Sequence, residues 1–253
     1  MTQLWALKLE YDGTNFSGWQ YQPRQITVQQ VLEEAASKLV SGEPVPSIVA
    51  GRTDAGVHAT GQVAQIILPD GWRPERVREA LNFHMKPHPV VAVQAALAPE
   101  GWNARFSAIQ RHYRYVILNR RPRPALDLHR AWHLPEPLDA AAMHEAGQHL
   151  LGKHDFSSFR ASSCQAKSPV RTLDRIDIRR DGAKIAIEVS ARSFLHHQVR
   201  NIAGTLRWFG EGRFPPSYMG VVLAAASRAA AGATAPPEGL SLTGVVYDPD
   251  PFG

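Results

Sequence analysis

Alternating apolar and polar residues open the chain and predict a β-strand. Trp5, Leu7, Leu9 and Tyr11 occupy every second position, and alternate residues of a strand face the same side of a sheet. Asp181-Gly182 separates two further runs of this kind and predicts a hairpin turn. In addition to the first strand, the pattern predicts strands over residues 47–50, 62–68, 90–96, 112–118, 170–179, 183–190 and 240–247.

A helical period appears between these strands. Thr27 and Gln30 have the spacing of a capping box, and the apolar residues that follow recur on one helical face at positions 28, 31, 32, 35 and 39. The pattern predicts helices over residues 27–39, 74–84, 138–151, 194–209 and 217–231. Residues 119–137 are rich in Pro and Arg and are predicted to form an extended loop.

Length and composition indicate the number of domains and the cellular compartment. With 253 residues, 44% hydrophobic and 20% charged, the chain has the composition of a globular protein and the length of two domains. The pattern changes near residue 105, so we expect domains at 1–104 and 105–253. Cys164 is the single cysteine, which suits a reducing cytoplasm. No apolar run approaches the roughly 20 residues that cross a bilayer, so no membrane partner is expected.

Positive charge is concentrated in one stretch. The net charge is +5, and residues 105–130 contain seven arginines against the single acid Asp127. Arginine suits phosphate and stacks on bases, and Tyr113 and Tyr115 lie among these arginines. This mixture predicts a nucleic-acid partner, because proteins bind unpaired bases with aromatic rings beside positive charge.

A glycine-rich loop, residues 50–63, contains one carboxylate, Asp54. Gly51, Gly56 and Gly61 permit positive φ or the close approach of a ligand, and Arg52 lies two residues before the acid. Asp is also an ordinary turn residue. The loop alone therefore leaves a turn and a catalytic site as open alternatives.

Motifs for other kinds of chemistry are weak or absent in the sequence. His144 and His149 are five residues apart and do not share a helix face, and His196-His197 would diverge on a helix, so no metal site is expected. The sequence lacks a nucleophile elbow, so acyl-enzyme chemistry is not expected. It also lacks a P-loop and a dinucleotide-binding motif, so no cofactor is expected. A glycosidase would need a second acid near Asp54, and no other acid lies between Glu43 and Asp70.

Several motifs of the sequence resemble those of one known protein family. The segment Gly-Arg-Thr-Asp-Ala-Gly-Val-His-Ala at residues 51–59 resembles the signature of the TruA family of tRNA pseudouridine synthases. Motifs that resemble the family's follow its order at residues 11–20, 27–29, 104–108, 113–115, 155–159, 197–202 and 239–242. Gln198 departs from the family pattern, which has methionine there, and so does the alanine-rich stretch 223–235.

The resemblance implies a fold, a reaction and partners. The fold would be α+β, with two α/β domains whose mainly antiparallel, ferredoxin-like sheets meet at a basic cleft. The reaction would convert uridine to pseudouridine at positions 38 to 40 of the tRNA anticodon arm. The resemblance also implies a homodimer. Asp54 would be the catalytic aspartate, acting as a nucleophile or as a base at C2′.

The resemblance also assigns roles around Asp54. Tyr113 would lie over the target uracil, Arg200 would pair with Asp54, and Arg52 would bind RNA or brace the loop. The expected RNA contacts are Arg105, Arg111, Arg114, Arg121, His58 and Gln62. A non-catalytic RNA-binding protein is the alternative, although it leaves the acid loop unexplained.

Overall fold

The computed structural model describes the whole chain, Met1–Gly253. None of its helices combines the length and the apolar character needed to cross a bilayer. The elements in chain order are β1 (Thr2–Tyr11), α1 (Val28–Lys38), β2 (Ile48–Val49), β3 (His58–Pro69), α2 (Pro74–His84), β4 (Val90–Leu97), β5 (Ala108–Asn119), β6 (Trp132–Leu134), α3 (Ala140–Gln148), β7 (Gly152–Asp155), β8 (Val170–Asp181), β9 (Lys184–Ala191), α4 (Gln198–Gly210), α5 (Tyr218–Ala224) and β10 (Leu240–Tyr247).

The chain forms two compact units. Unit 1 consists of Met1–Arg111 and Ser241–Gly253, and unit 2 of His112–Leu240. The sequence-based division at residue 105 differs from this in two places. Residues 105–111 belong to unit 1, and so does the end of the chain, because β10 runs parallel to β3 with Ser241 opposite His58.

Unit 1 is a mainly antiparallel sheet with two helices. Its strands follow the order β4-β1-β3-β10, with the short β2 beside β3. Thr27 caps α1 as expected, because its side-chain oxygen accepts a hydrogen bond from Gln30 N at 3.3 Å. The Gln30 side chain instead donates to Glu34, so only half of the predicted capping box forms. The helix α2 has the predicted bounds.

Unit 2 has the strand order β5-β9-β8-β7, with β6 parallel to β5. The hairpin between β8 and β9 pairs Asp181 with Lys184, and Gly182 adopts φ +53° in its turn. The helix α3 packs against β8, because a Cβ on Gly147 would lie 3.0 Å from the Cδ1 atom of Ile178. These contacts form a helix layer on the buried face of the sheet.

Several elements differ from the predicted pattern. The strand β6 lies inside the stretch predicted as a loop, and β7 follows α3 where no strand was predicted. The helix α4 begins at Gln198 instead of residue 194, because His197 adopts φ +61°, outside the helical region. The helix α5 ends at Ala224, before Ala226 with φ +46°, instead of continuing to residue 231.

Candidate active site

The loop that contains Asp54 is shorter than predicted. It covers residues 50–57, because β3 begins at His58. Gly56 has φ +77°, as a permissive loop position requires. Gly61 lies in β3 instead, where a Cβ would come within 2.5 Å of Thr243 O. Gly61 therefore permits the close packing of β3 on β10, and not the expected close approach of a ligand.

The segment between β1 and α1 holds the loop through its backbone. Trp19 N donates to Thr53 O at 3.0 Å, and Gly56 N donates to Phe16 O at 3.2 Å. Gly18 has φ +89°, and a Cβ at this position would lie 2.7 Å from Thr53 O. Phe16 and Trp19 are buried. The residues on both sides of Asp54 are thus fixed by main-chain contacts.

A buried side-chain network lies beneath the loop. The Tyr11 hydroxyl is 2.7 Å from Thr53 Oγ1 and accepts from Gln62 Nε2 at 3.2 Å. Gln62 Nε2 also donates to Gly51 O at 2.8 Å. Burial raises the pKa of Tyr11 to about 12, although its hydrogen bonds to Thr53 and Gln62 act in the opposite direction. Tyr11 therefore stays a neutral hydrogen-bonding group at physiological pH.

Arg111 holds the start of the loop from β5. Its guanidinium donates to Ala50 O at 2.7 Å and to Arg105 O at 2.8 Å, and it also reaches Ala108 O. The side chain is buried, and so are His58 and Gln62. Direct RNA contact by these three residues stays a prediction. The hydrogen bonds described here for Arg111 and Gln62 lie inside unit 1 and brace the protein.

Asp54 itself is half-buried, with Arg52 exposed beside it. Its carbonyl accepts from Val57 N at 3.1 Å, closing a turn around the residue. The turn interpretation and the catalytic interpretation are therefore compatible, since this turn hydrogen bond uses the Asp54 carbonyl and not its carboxylate. A carboxylate held in this way can act as a nucleophile or as a general base.

Unit 2 carries Tyr113 and Arg200 on regular elements. Tyr113 lies on β5, half-buried, with its ring edge-on to Phe194 at 5.2 Å. Arg200 lies in the first turn of α4, where its Nε donates to Ala235 O at 2.8 Å and its carbonyl accepts from Ala235 N.

The alanine-rich stretch supports this part of α4. A Cβ on Gly204 would lie 1.8 Å from Ala233 O, so the helix and the stretch are in main-chain contact. Asn201 accepts from Thr234 Oγ1 and donates to Phe159 O.

The expectation that the rings of His196 and His197 diverge is wrong. The backbone of His197 is not helical, and the two ring centroids are 4.0 Å apart.

The other predicted RNA contacts are exposed arginines. Arg114 pairs with Glu188 at 2.7 Å on β9, and Arg121 lies in the loop after β5. Arg105 lies over the exposed ring of Phe106, with its guanidinium carbon 5.5 Å from the ring centroid.

The sequence did not identify Tyr11 and Thr53 as hydrogen-bonding partners beneath the Asp54 loop. Their only local signal was the presence of both within motifs of the family.

Comparison with known proteins fixes the family. The family model described as tRNA pseudouridine synthase matches residues 8–107 and 146–248. The chain belongs to the tRNA pseudouridine synthase family. A tRNA pseudouridine synthase A from Acidiphilium cryptum is 62% identical over 98% of this chain and 98% of its own length. Proteins of the same name from Gluconobacter oxydans and Paramagnetospirillum magneticum are 54% and 56% identical, covering 98% and 96% of this chain and 91% and 94% of their own lengths.

Family membership confirms the resemblance on which the sequence interpretation depended. It makes the protein an isomerase that acts on tRNA. The matched residues include the whole Asp54 loop and the first turns of α4. The mixed, mainly antiparallel architecture confirms the expected α+β class.

Proposed function

We propose that this tRNA pseudouridine synthase converts uridine to pseudouridine in the anticodon arm of tRNA, with Asp54 as its catalytic carboxylate. The observation that carries the proposal is the Asp54 loop. It contains one acid, and the chain is fixed on both sides of that acid. Trp19 N donates to Thr53 O before it, and Gly56 N donates to Phe16 O after it. A carboxylate with so little freedom loses little entropy when it meets a reacting atom.

The reaction requires one bond to break and another to form. The N1–C1′ glycosidic bond of uridine breaks, the uracil turns, C5 bonds to C1′, and the C5 proton is released. Asp54 serves this sequence by attacking the sugar or the uracil, or by removing the C2′ proton to give a glycal. Both routes need the ionised carboxylate.

Other side chains act on the same uridine in this proposal. Tyr113 packs on the uracil and removes the C5 proton, and Arg200 is the proposed partner of the Asp54 carboxylate. Arg52, exposed beside Asp54, binds the RNA. The target base is flipped out of the stem, because a paired base hides the atoms that react.

The proposal extends to assembly and location. The protein works as a homodimer in the cytoplasm, without a metal or a cofactor. Its basic charge, +5 overall, favours association with the anionic tRNA. Size measurement in solution tests the dimer separately from the chemistry.

A tritium-release assay tests the activity. The substrate is an unmodified tRNA transcript that carries tritium at C5 of its uridines, mixed with the wild-type protein. A synthase releases tritium to water while the RNA chain stays intact. A non-catalytic RNA-binding protein would retain all the tritium, and a glycosidase would release free uracil. Either of these results would contradict the proposal.

A further inference from the structure

An exposed aromatic side chain projects from a tight turn in unit 1. Phe106 is 74% exposed, and the Arg105 guanidinium lies over its ring at 5.5 Å. A large apolar ring in water loses the stabilisation that burial would give it. Single exposed apolar side chains are common on protein surfaces, so a function for Phe106 is inferred from the arginine over the ring and from how the turn is held.

The turn is built by its own polar groups. The Asn103 side-chain oxygen accepts from Arg105 N at 3.0 Å and from Phe106 N at 3.1 Å. Ser107 N donates to Asn103 O, and Asn103 N donates to the Ser107 hydroxyl. These bonds set the direction in which residues 105 and 106 leave the turn.

Buried side chains then fix the turn to the unit. Gln65 Oε1 accepts from Ala104 N at 2.6 Å, and the Tyr247 hydroxyl donates to Ala104 O at 2.6 Å. Arg111 holds the carbonyl of Arg105 at 2.8 Å. Because its backbone is anchored at consecutive residues, the turn cannot rotate to bury the Phe106 ring. The exposure of the ring is thus imposed by the fold.

We infer that Arg105 and Phe106 form a stacking platform for an unpaired base of the tRNA. An aromatic ring takes up a base through its π face, and arginine adds attraction for the base and for the neighbouring phosphate. A protein partner would also cover an apolar ring. The cation over the ring and the polyanionic substrate of the family favour RNA.

The same anchor connects the platform to the catalytic loop. Arg111 holds Arg105 O and Ala50 O with one guanidinium nitrogen, at 2.8 and 2.7 Å. The position of a base on Phe106 would thus be coupled, through Arg111, to the position of the loop that carries Asp54. This inference rests on the proposed function for its substrate, tRNA, but not on the catalytic role of Asp54.

Phe83 offers a matched control. It is 69% exposed on α2, also in unit 1, and its ring meets the His84 ring edge-on at 5.1 Å. It therefore has the exposure of Phe106 without an arginine over its face.

The experiment measures equilibrium binding of an unmodified tRNA transcript at several salt concentrations. We expect Phe106→Leu to bind roughly 5- to 100-fold more weakly than wild type, the range for losing one stacked base. Phe106→Trp, which keeps a π face, is expected to retain wild-type affinity within about threefold. Phe83→Leu should leave the affinity unchanged.

Salt dependence separates stacking from charge. Phe106→Leu removes no charge, so the slope of log affinity against log salt should match wild type. Arg105→Gln should reduce that slope by about one. Thermal unfolding of each variant checks that the exposed substitutions leave the fold intact.

Two results would overturn the platform. One is a Phe106→Leu affinity within twofold of wild type. The other is a changed oligomeric state with unchanged tRNA affinity, which would make Phe106 a contact between two copies of the chain. Binding needs no chemistry, so either result is distinguishable from a failure of the tritium assay.

Discussion

The two units present their candidate residues in opposite ways. Unit 1 holds Asp54 on an irregular loop that is fixed by side chains far away in sequence, such as Tyr11 and Arg111. Unit 2 carries Tyr113 on a strand and Arg200 on a helix. Strands and helices satisfy most of their own backbone polar groups, whereas a loop must obtain partners elsewhere. The comparison teaches that the geometry at Asp54 depends on distant buried contacts.

The largest expected effect on stability comes from removing the buried Arg111 side chain. Arg111→Met leaves the carbonyls of Ala50 and Arg105 without their buried donor, at a cost of about 1 to 3 kcal/mol for each group. We expect a loss of about 3 kcal/mol in the free energy of unfolding, and more than a tenfold fall in turnover. Denaturant unfolding and the tritium assay measure the two effects.

Arg114→Met is the matched control for this change. It lies three residues further along β5, but its side chain is exposed and pairs with Glu188. An exposed pair contributes at most about 1 kcal/mol. Equal destabilisation of the two variants would contradict the bracing role of Arg111.

A smaller effect is expected from Gly18→Ala. The backbone at φ +89° costs an L-residue about 1 to 2 kcal/mol, and the new Cβ would also press on Thr53 O from 2.7 Å. Gly42→Ala has nearly the same backbone, φ +93°, with no atom within 4 Å. Both variants should therefore lose stability, but only Gly18→Ala should also lose turnover. Unfolding curves and single-turnover rates for the pair test whether contact with the loop matters.

The smallest effect is expected from Tyr11→Phe, and it depends on pH. Losing the hydroxyl bonds to Thr53 and Gln62 should destabilise the protein by about 1 to 2 kcal/mol near neutral pH. Folding raises the pKa of Tyr11 from 10.0 to about 12, so the wild-type protein ionises there more readily when unfolded. The contribution of the Tyr11 hydroxyl to the free energy of unfolding is therefore fully present below pH 10 and falls as the pH rises toward 12.

The difference in stability between the Tyr11→Phe variant and wild type should therefore narrow between pH 10 and pH 12. Other tyrosines titrate equally in both proteins and cancel in the comparison. Urea unfolding at pH 8, 10 and 11.5 measures it. A difference that stays constant over this range would contradict the burial of an un-ionised Tyr11.

Local patterns predicted much of the fold. Alternation gave β1, Pro74 in the first turn marked α2, and Leu240–Tyr247 was predicted with its final bounds. The pattern failed where the backbone leaves ordinary geometry without a glycine. His197 with φ +61° shortens α4, and Ala226 with φ +46° follows the early end of α5. A left-handed conformation is uncommon for any residue other than glycine, so neither residue type was enough to predict it.

The candidate site was predictable in part. Asp54 was identified from family motifs, and its loop from glycines. The partners of the loop were not identified, because Gln62 and Arg111 act on Gly51 and Ala50 across 11 and 61 residues. Polar residues of this kind suggest RNA contacts when only their sequence is known. In the folded protein both side chains are buried and brace the loop, and this burial could not be predicted from their residue types.

The most direct test of the account is the single-turnover rate of pseudouridine formation by Asp54→Asn, measured beside its affinity for tRNA. Asparagine keeps the size of the side chain and removes its charge and its basicity. We expect product formation to fall by at least about a thousandfold, while the tRNA dissociation constant stays within about threefold of wild type. Turnover near the wild-type rate would contradict a catalytic Asp54.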